Sequence, residues 1–159
     1  MKKILIVVAA IVIIGIVIWH SYQNYLEQQQ ELLYRQKINS IDILFENLGL
    51  EGITKEKSTM VVYFSSECEH CHWEIEELSS NINLFVNTQI IFVSSEPESQ
   101  AIDYLSKYNL ETAYVNTNSE NIFNTFTGGV PQIFIYENEQ LVKQFVGETE
   151  AALIVEFLK

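Results

Sequence analysis

The chain contains two cysteines, and they lie three positions apart in the stretch Cys68-Glu69-His70-Cys71. Residues 60–64, just before this stretch, are β-branched and aromatic, which predicts a buried strand. Ile75 and Leu78 after it have the spacing of one helix face. The cysteine pair is therefore predicted to lie where a strand turns into a helix.

A cysteine at the start of a helix is well placed for nucleophilic chemistry. Its thiolate faces unpaired backbone N–H groups and the positive end of the helix dipole, which stabilise the charged form. A second cysteine one turn later can attack the mixed disulfide that the first one forms. Two cysteines this close enclose too short a loop to stabilise a fold, so a catalytic or metal-binding role is the better interpretation.

The same stretch also admits a haem interpretation, because His72 completes the C-x-x-C-H pattern of c-type haem attachment. Two observations oppose it. The motif follows a hydrophobic strand in an α/β pattern, whereas small haem domains are usually helical, and only Met60 and His20 are left as a sixth ligand. A zinc or copper site has less support, since there is no second C-x-x-C and no later histidine. We therefore expect no cofactor and no metal ion.

The N-terminal segment places Lys2 and Lys3 before an unbroken apolar run over residues 4–19. This run is shorter than the ~20 residues that comfortably span a bilayer. It is compatible with a cleaved signal peptide, a retained signal anchor or a buried core helix. A core helix fits poorly because the run is apolar on every face, and no A-x-A-like cleavage site follows it. Three aromatic residues lie where a membrane interface favours them: Trp19, Tyr22 and Tyr25.

We therefore expect a single-pass anchor in the cytoplasmic membrane that contacts lipid through residues 4–19. Its N-terminus would lie inside, and the rest of the chain would lie on the extracytoplasmic, periplasmic side, which permits disulfides. The net charge is −12, and the sequence contains no basic cluster. These two features exclude binding to the phosphate backbone of nucleic acids.

Three segments are predicted: the membrane anchor at 1–20, a helical spacer with an N-terminal extension at 21–57, and one domain at 58–159. Five apolar residues of the extension recur at helical spacing and are expected to pack on the domain: Ile38, Ile41, Leu44, Phe45 and Leu48. Gly49 and Gly52 then end that helix.

From residue 59 onward, strand and helix patterns alternate. The sequence predicts strands at 60–64, 89–94, 113–115, 132–136 and 140–146, and helices at 68–82, 96–107, 120–126 and 151–158. This order implies an α/β fold with a central mixed sheet and helices on both faces.

The chain at this point resembles the thioredoxin superfamily, and most closely its membrane-anchored, exported, TlpA-like thiol-disulfide oxidoreductases. The resemblance covers about residues 58–159. Three segments carry it. Residues 64–71 look like the strand-to-active-site segment, Gly129-Val130-Pro131 looks like the cis-proline turn, and Phe145-Val146-Gly147 looks like the segment before the last helix.

The resemblance implies roles for these residues. Cys68 is similar to the exposed attacking cysteine and Cys71 to the buried resolving cysteine, so the two would form a reversible redox disulfide. Val130 and Pro131 resemble the loop opposite the cysteines, in which a cis bond turns the Val130 backbone toward a bound peptide. The chain would then act on thiols and disulfides of exported proteins, with electrons from a membrane or soluble donor.

The chain departs from the resemblance in two places. Glu67 stands where the family often has tryptophan. Val62 and Tyr63 occupy the stretch in which many members bury an acidic residue that shuttles a proton, so the base that would activate the resolving thiol is left unassigned.

Charged side chains around the motif are expected to tune the acidity of the Cys68 thiol. His70 would stabilise the thiolate and Glu69 would oppose it. The later glutamates of the helix are predicted to form its solvated face: Glu74, Glu76 and Glu77. Reduction of exported disulfides is the favoured function, and a c-type haem electron carrier and a redox-inactive thioredoxin-fold binding module are the alternatives.

Overall fold

The computed structural model describes residues 2–50 and 58–158, with side chains from residue 11 onward. The chain divides into two compact units, Met1–Gln36 and Lys37–Lys159. The predicted helix stop at Gly52 lies outside the described residues.

The first unit consists of the long helix α1 (Lys2–Ile38) up to Gln36, and the last two residues of α1 belong to the second unit. Its large apolar side chains from Ile11 to Trp19 are exposed. The side chains of residues 4–10, the first half of the predicted anchor, lie outside the described part of the chain. Among the described residues, no helix is both long enough and apolar enough to cross a membrane.

A four-stranded mixed sheet with the order β2-β1-β3-β4 forms the centre of the second unit. Its strands are β1 (Ser58–Tyr63), β2 (Gln89–Val93), β3 (Gln132–Glu137) and β4 (Gln140–Val146). β1 runs parallel to β2 and antiparallel to β3, and β3 pairs antiparallel with β4. Strand β1 is buried along its whole length because it has a neighbour on each side and helices on each face, as its β-branched and aromatic sequence predicted.

Helices cover both faces of this sheet: α2 (Ile41–Leu48), α3 (Glu69–Ser80), α4 (Glu98–Ser106), α5 (Ser119–Thr125) and α6 (Ala151–Val155). Alternate residues of a strand face opposite sides. Val62 belongs to the buried cluster formed with α3, α4 and α6. On the other face, Tyr63 stacks on Phe126 at the end of α5, and the Tyr136 hydroxyl donates to the carbonyl of Ile38. The predicted mixed sheet with helices on both faces is confirmed.

The five apolar residues of the extension pack on the domain as predicted, and each is at most 4% exposed. Gly49 ends α2 in the left-handed conformation (φ 69°), which glycine adopts without a steric penalty. The segment before α2 also joins the sheet. The Ile41 N–H donates to the Glu139 carbonyl, and the Leu141 N–H donates to the Asn39 carbonyl.

Two secondary-structure predictions were wrong. Residues 113–115 form no strand; a 3₁₀ turn at Glu111–Ala113 leads to a single bridge between Tyr114 and Phe92. At this bridge the Val115 N–H donates to the Phe92 carbonyl, and a single bridge does not make a strand. Helix α6 ends at Val155 rather than at residue 158, because residues 157 and 158 bond back three positions instead of four.

Candidate active site

The cysteine pair lies at the predicted junction of strand and helix. Strand β1 ends at Tyr63 and α3 begins at Glu69, so Cys68 is the N-cap residue of α3, with an extended backbone (φ −99°, ψ 119°). Both cysteines are free thiols. Cys68 is partly exposed, whereas Cys71 is completely buried. Only the first thiol can therefore meet a large partner.

The strand register brings the Val130–Pro131 loop to the same end of the sheet. Tyr63, the last residue of β1, pairs with Gln132, the first residue of β3, so the segments beyond these two residues meet. The Cys68 thiol donates to the Val130 carbonyl, with 3.5 Å between Sγ and O. The Val130–Pro131 peptide bond is cis, as the resemblance implied.

Gln132 holds this loop from inside the domain. Its buried side chain donates from Nε2 to the carbonyls of Thr127 (2.9 Å) and Gly129 (2.6 Å). Two backbone acceptors that precede Pro131 are thereby satisfied by one side chain. Nothing in the sequence distinguished Gln132 from an ordinary strand residue.

The environment of Cys71 keeps its thiol protonated. Burial raises its pKa to about 12, against the opposing effect of a hydrogen bond from the Ser65 N–H, which lies 3.4 Å from Sγ. A protonated thiol is a poor nucleophile. Cys71 therefore needs a base before it can attack a mixed disulfide.

Glu74 can supply that base, and the prediction that it is solvated was wrong. It is completely buried one helical turn after Cys71, and its Oε2 accepts a 2.8 Å hydrogen bond from the Thr149 N–H. Its Oε1 has no hydrogen-bond partner. Burial raises the pKa of Glu74 to about 7, with a smaller opposing effect of the Thr149 N–H. A carboxyl group with this pKa can accept and release a proton near neutral pH.

The helix periodicity contained a signal for Glu74. Together with Cys71, Ile75 and Leu78 it occupies positions i, i+3, i+4 and i+7 of one face, and all four are buried. A carboxylate within that apolar stripe is buried wherever the stripe is buried.

His70 lies opposite Glu148, a residue that follows β4. Its Nδ1 is 2.7 Å from Glu148 Oε1, and both side chains are largely exposed. Glu69 is exposed in the first turn of α3. Glu77 was also predicted to be solvated, but its Oε1 accepts a 3.1 Å bond from the Ala151 N–H at the start of α6.

The surroundings of His72 do not fit a covalently attached haem. Its Nε2 donates to the Ser66 carbonyl at 2.6 Å, and its ring stacks on Tyr104 with 5.1 Å between centroids. Cys71, the second attachment point of such a haem, is completely buried. Within the described part of the chain, no group of three or more His, Cys, Asp or Glu side chains could hold a metal ion.

These features define a thioredoxin-like domain, with an α/β fold that carries a cysteine pair at the start of a helix beside a cis-proline loop. Solved structures with this fold include StoA from Bacillus subtilis, at 19% identity and a TM-score of 0.54, over 76% of this chain and 92% of that one. A thio-disulfide isomerase from Thermus thermophilus matches at 18% identity and a TM-score of 0.54, over 65% of this chain and 78% of that one.

A third similar structure is a secreted disulfide oxidoreductase from Mycobacterium tuberculosis that is homologous to E. coli DsbE. It matches at 16% identity and a TM-score of 0.54, over 64% of this chain and 79% of that one. At these identities the likeness shows the fold. No family model and no curated protein sequence matches the chain.

Proposed function

We propose that the chain is an exported, membrane-anchored thiol-disulfide oxidoreductase that reduces disulfides of extracytoplasmic proteins. One observation carries the proposal: the partly exposed Cys68 thiol contacts the Val130 carbonyl beside the cis-proline loop, with the buried Cys71 one turn behind it. Thiol-disulfide exchange needs an accessible nucleophile, a second thiol to resolve the intermediate, and backbone that can pair with a peptide. The names of similar structures support the same class of chemistry.

The reaction takes place in two exchanges. The Cys68 thiolate attacks one sulfur of the substrate disulfide, forms a mixed disulfide, and releases the other substrate sulfur as a thiolate. Cys71 then attacks Cys68 Sγ, which closes the Cys68–Cys71 disulfide and releases the second substrate sulfur. The domain loses two electrons and the substrate gains them, so a dithiol donor, bound to the membrane or soluble, must reduce the domain again.

Glu74 serves the second exchange. Its Oε1 has no hydrogen-bond partner, and after burial its charge contributes in a minor way to the raised pKa of the Cys71 thiol one helical turn earlier. Glu74 would take the Cys71 proton as the thiolate forms and pass it to the departing substrate thiolate. Neither Val62 nor Tyr63 of β1 is needed as the base.

The location rests on the N-terminal segment. Lys2 and Lys3 precede the apolar run at 4–19, and the side chains of this run that the structure describes are exposed on the long helix α1. We assign these residues to a retained anchor, with the lysines on the cytoplasmic side and the thioredoxin-like domain outside.

Insulin reduction by dithiothreitol tests the redox assignment with the full-length chain in a non-ionic detergent. We expect wild type to accelerate the reaction, Cys68→Ser to abolish the acceleration, and Cys71→Ser to accumulate a mixed disulfide that is visible on a non-reducing gel. The matched control is Ser80→Ala, on the same helix and away from both thiols. A wild-type chain with two free thiols and no acceleration over the reagent would instead identify a redox-inactive binding module.

A further inference from the structure

Every polar backbone and side-chain group of Ser66, two residues before Cys68, is bound by another part of the domain. Its N–H donates to both carboxylate oxygens of Glu96, at 2.8 and 3.0 Å. Its hydroxyl accepts from Gln100 Nε2 at 2.9 Å, and its carbonyl accepts from His72 Nε2 at 2.6 Å. A loop residue held at three points has little freedom to reorient.

Glu96 makes the strongest of these attachments. Besides the two bonds from the Ser66 N–H, its Oε1 accepts from the Ser65 hydroxyl at 2.6 Å. Hydrogen bonds to a carboxylate are about twice as strong as those between neutral groups. Glu96 is itself fixed, because its N–H donates to the hydroxyl of Ser94 at 3.2 Å, and Ser94 is completely buried at the end of β2.

This attachment reaches the resolving thiol through one backbone group. The Ser65 N–H donates to Cys71 Sγ, and it opposes the effect of burial on the Cys71 pKa. That N–H belongs to the Phe64–Ser65 peptide, and the Glu96 bonds hold the Ser65 side chain and the Ser65–Ser66 peptide that follows it. A shift of Ser65 that lost those bonds would also move its N–H relative to Cys71 Sγ.

We propose that Glu96 is a positioning residue for the resolving step, because it holds the Ser65 N–H against Cys71 Sγ and so stabilises the attacking thiolate. The inference rests on the proposed exchange function and assigns a role within it to a residue of another strand–helix connection. The Glu96 carboxylate binds Ser65 and Ser66 rather than either sulfur, so it acts through the loop.

Any effect of the Glu96 charge on the Cys71 thiolate would have the opposite sign, which makes the two roles separable. A carboxylate near Cys71 disfavours the thiolate through repulsion. If charge dominated, Glu96→Gln and Glu96→Ala would both speed the resolving step. If position dominates, Glu96→Ala slows it, whereas Glu96→Gln retains one oxygen that can accept the 2.6 and 2.8 Å bonds and stays close to wild type.

The two exchange steps can be timed with Ellman's reagent on the reduced, full-length chain. Attack by Cys68 releases the first thionitrobenzoate, and attack by Cys71 on the mixed disulfide releases the second, so the protein loses the two electrons that the reagent gains. Losing one hydrogen bond to a thiolate raises its pKa by about one to two units. Since a more basic thiolate is also more nucleophilic, the second phase of Glu96→Ala should slow by about three- to tenfold.

The control is Glu98→Ala, because Glu98 carries the same charge two positions later and binds the Asn116 side chain instead of the loop. We expect it to leave both phases unchanged, and we expect Glu96→Ala to leave the first phase unchanged. If Glu96→Ala does not fold, Ser65→Ala removes the 2.6 Å bond to Glu96, together with the 3.2 Å bond that the Ser65 hydroxyl accepts from the Glu67 N–H. It keeps the Glu96 bonds to the Ser66 N–H and should slow the second phase in the same direction, by about twofold to threefold.

Equal second-phase rates in wild type and Glu96→Ala, or faster rates in both Glu96 variants, would overturn the proposal. The second-phase rates measured with Ellman's reagent do not depend on whether the chain reduces insulin. A wild-type chain that releases both equivalents of thionitrobenzoate but does not reduce insulin would refute the reductase function, while the effect of Glu96 on Cys71 could still be measured.

Discussion

Replacing the buried Glu74 by glutamine should change how the stability of the domain depends on pH. The pKa of Glu74 lies at about 7 in the folded domain, against an ordinary value of 4.5, because burial disfavours its charge. The folded state therefore binds this proton more tightly than the unfolded state, so stability is lost as the pH rises from 4.5 through 7. At about 1.4 kcal/mol per pKa unit, the full loss is roughly 3 kcal/mol.

Glutamine has the shape of the protonated acid and does not titrate. Its side-chain oxygen can still accept the bond from the Thr149 N–H. The stability of Glu74→Gln relative to wild type should therefore be about 2–3 kcal/mol higher at pH 8 than at pH 5. Urea denaturation of the reduced chain at both pH values measures this, and a Trp19→Phe background leaves Trp73 on α3 as the only tryptophan reporter.

Glu76→Gln is the control, since Glu76 is exposed on the same helix. Its stability relative to wild type should be nearly the same at the two pH values. If Glu74→Gln behaved like this control, the carboxyl group would not be held neutral by burial, and its assignment as the base for Cys71 would fail with it.

Three further predictions concern the reduction potential, the Val130–Pro131 loop and the membrane. Equilibration with glutathione should give wild type a reduction potential of about −270 to −180 mV. The potential should be higher for Glu69→Gln, which removes repulsion on the Cys68 thiolate, and lower for His70→Asn. A wild-type potential near −120 mV would indicate an oxidase. Gln132→Ala leaves two loop carbonyls without their donor, so it should lower the free energy of unfolding in urea by about 1–3 kcal/mol. It should also raise the KM for a peptide disulfide, and an unchanged KM would contradict the role of Gln132 in holding the loop. The chain should stay with membranes after a carbonate wash, and release with a new N-terminus near Ser21 would show a cleaved signal peptide instead.

Local patterns were sufficient to predict most of the fold. The β-branched run of β1 and the spacing of Ile75 and Leu78 placed Cys68 at the start of α3, and the structure has it there. The prediction of a strand at 113–115 was wrong because these residues have strand-like side chains, but only Tyr114 forms a bridge to the sheet. Pairing partners are distant in sequence, so three residues with strand propensity do not reveal whether a ladder exists.

The parts of the site that the sequence missed are polar side chains whose role depends on distant contacts. Glu74 looked like its neighbours Glu76 and Glu77, and only the direction of the helix face separates a buried carboxylate from solvated ones. Glu96 lies 28 positions after Cys68, and nothing in its local sequence indicates that it binds Ser65 and Ser66. Bonds of this kind are set by the crossover from β2 to α4, which local periodicity does not encode.

The two backbone bonds that join residues 39–41 to the β3–β4 hairpin have a mechanical consequence. They attach the chain at the end of the sheet where Ser58 pairs with Glu137, whereas Cys68 follows the other end of β1, about 20 Å away at ~3.3 Å per residue. Tension applied through the N-terminal residues would enter the domain as shear on the hairpin edge and would bypass the helix that carries the cysteines. Such a force would be carried first by β3 and β4, the two strands farthest in the sheet order from β2.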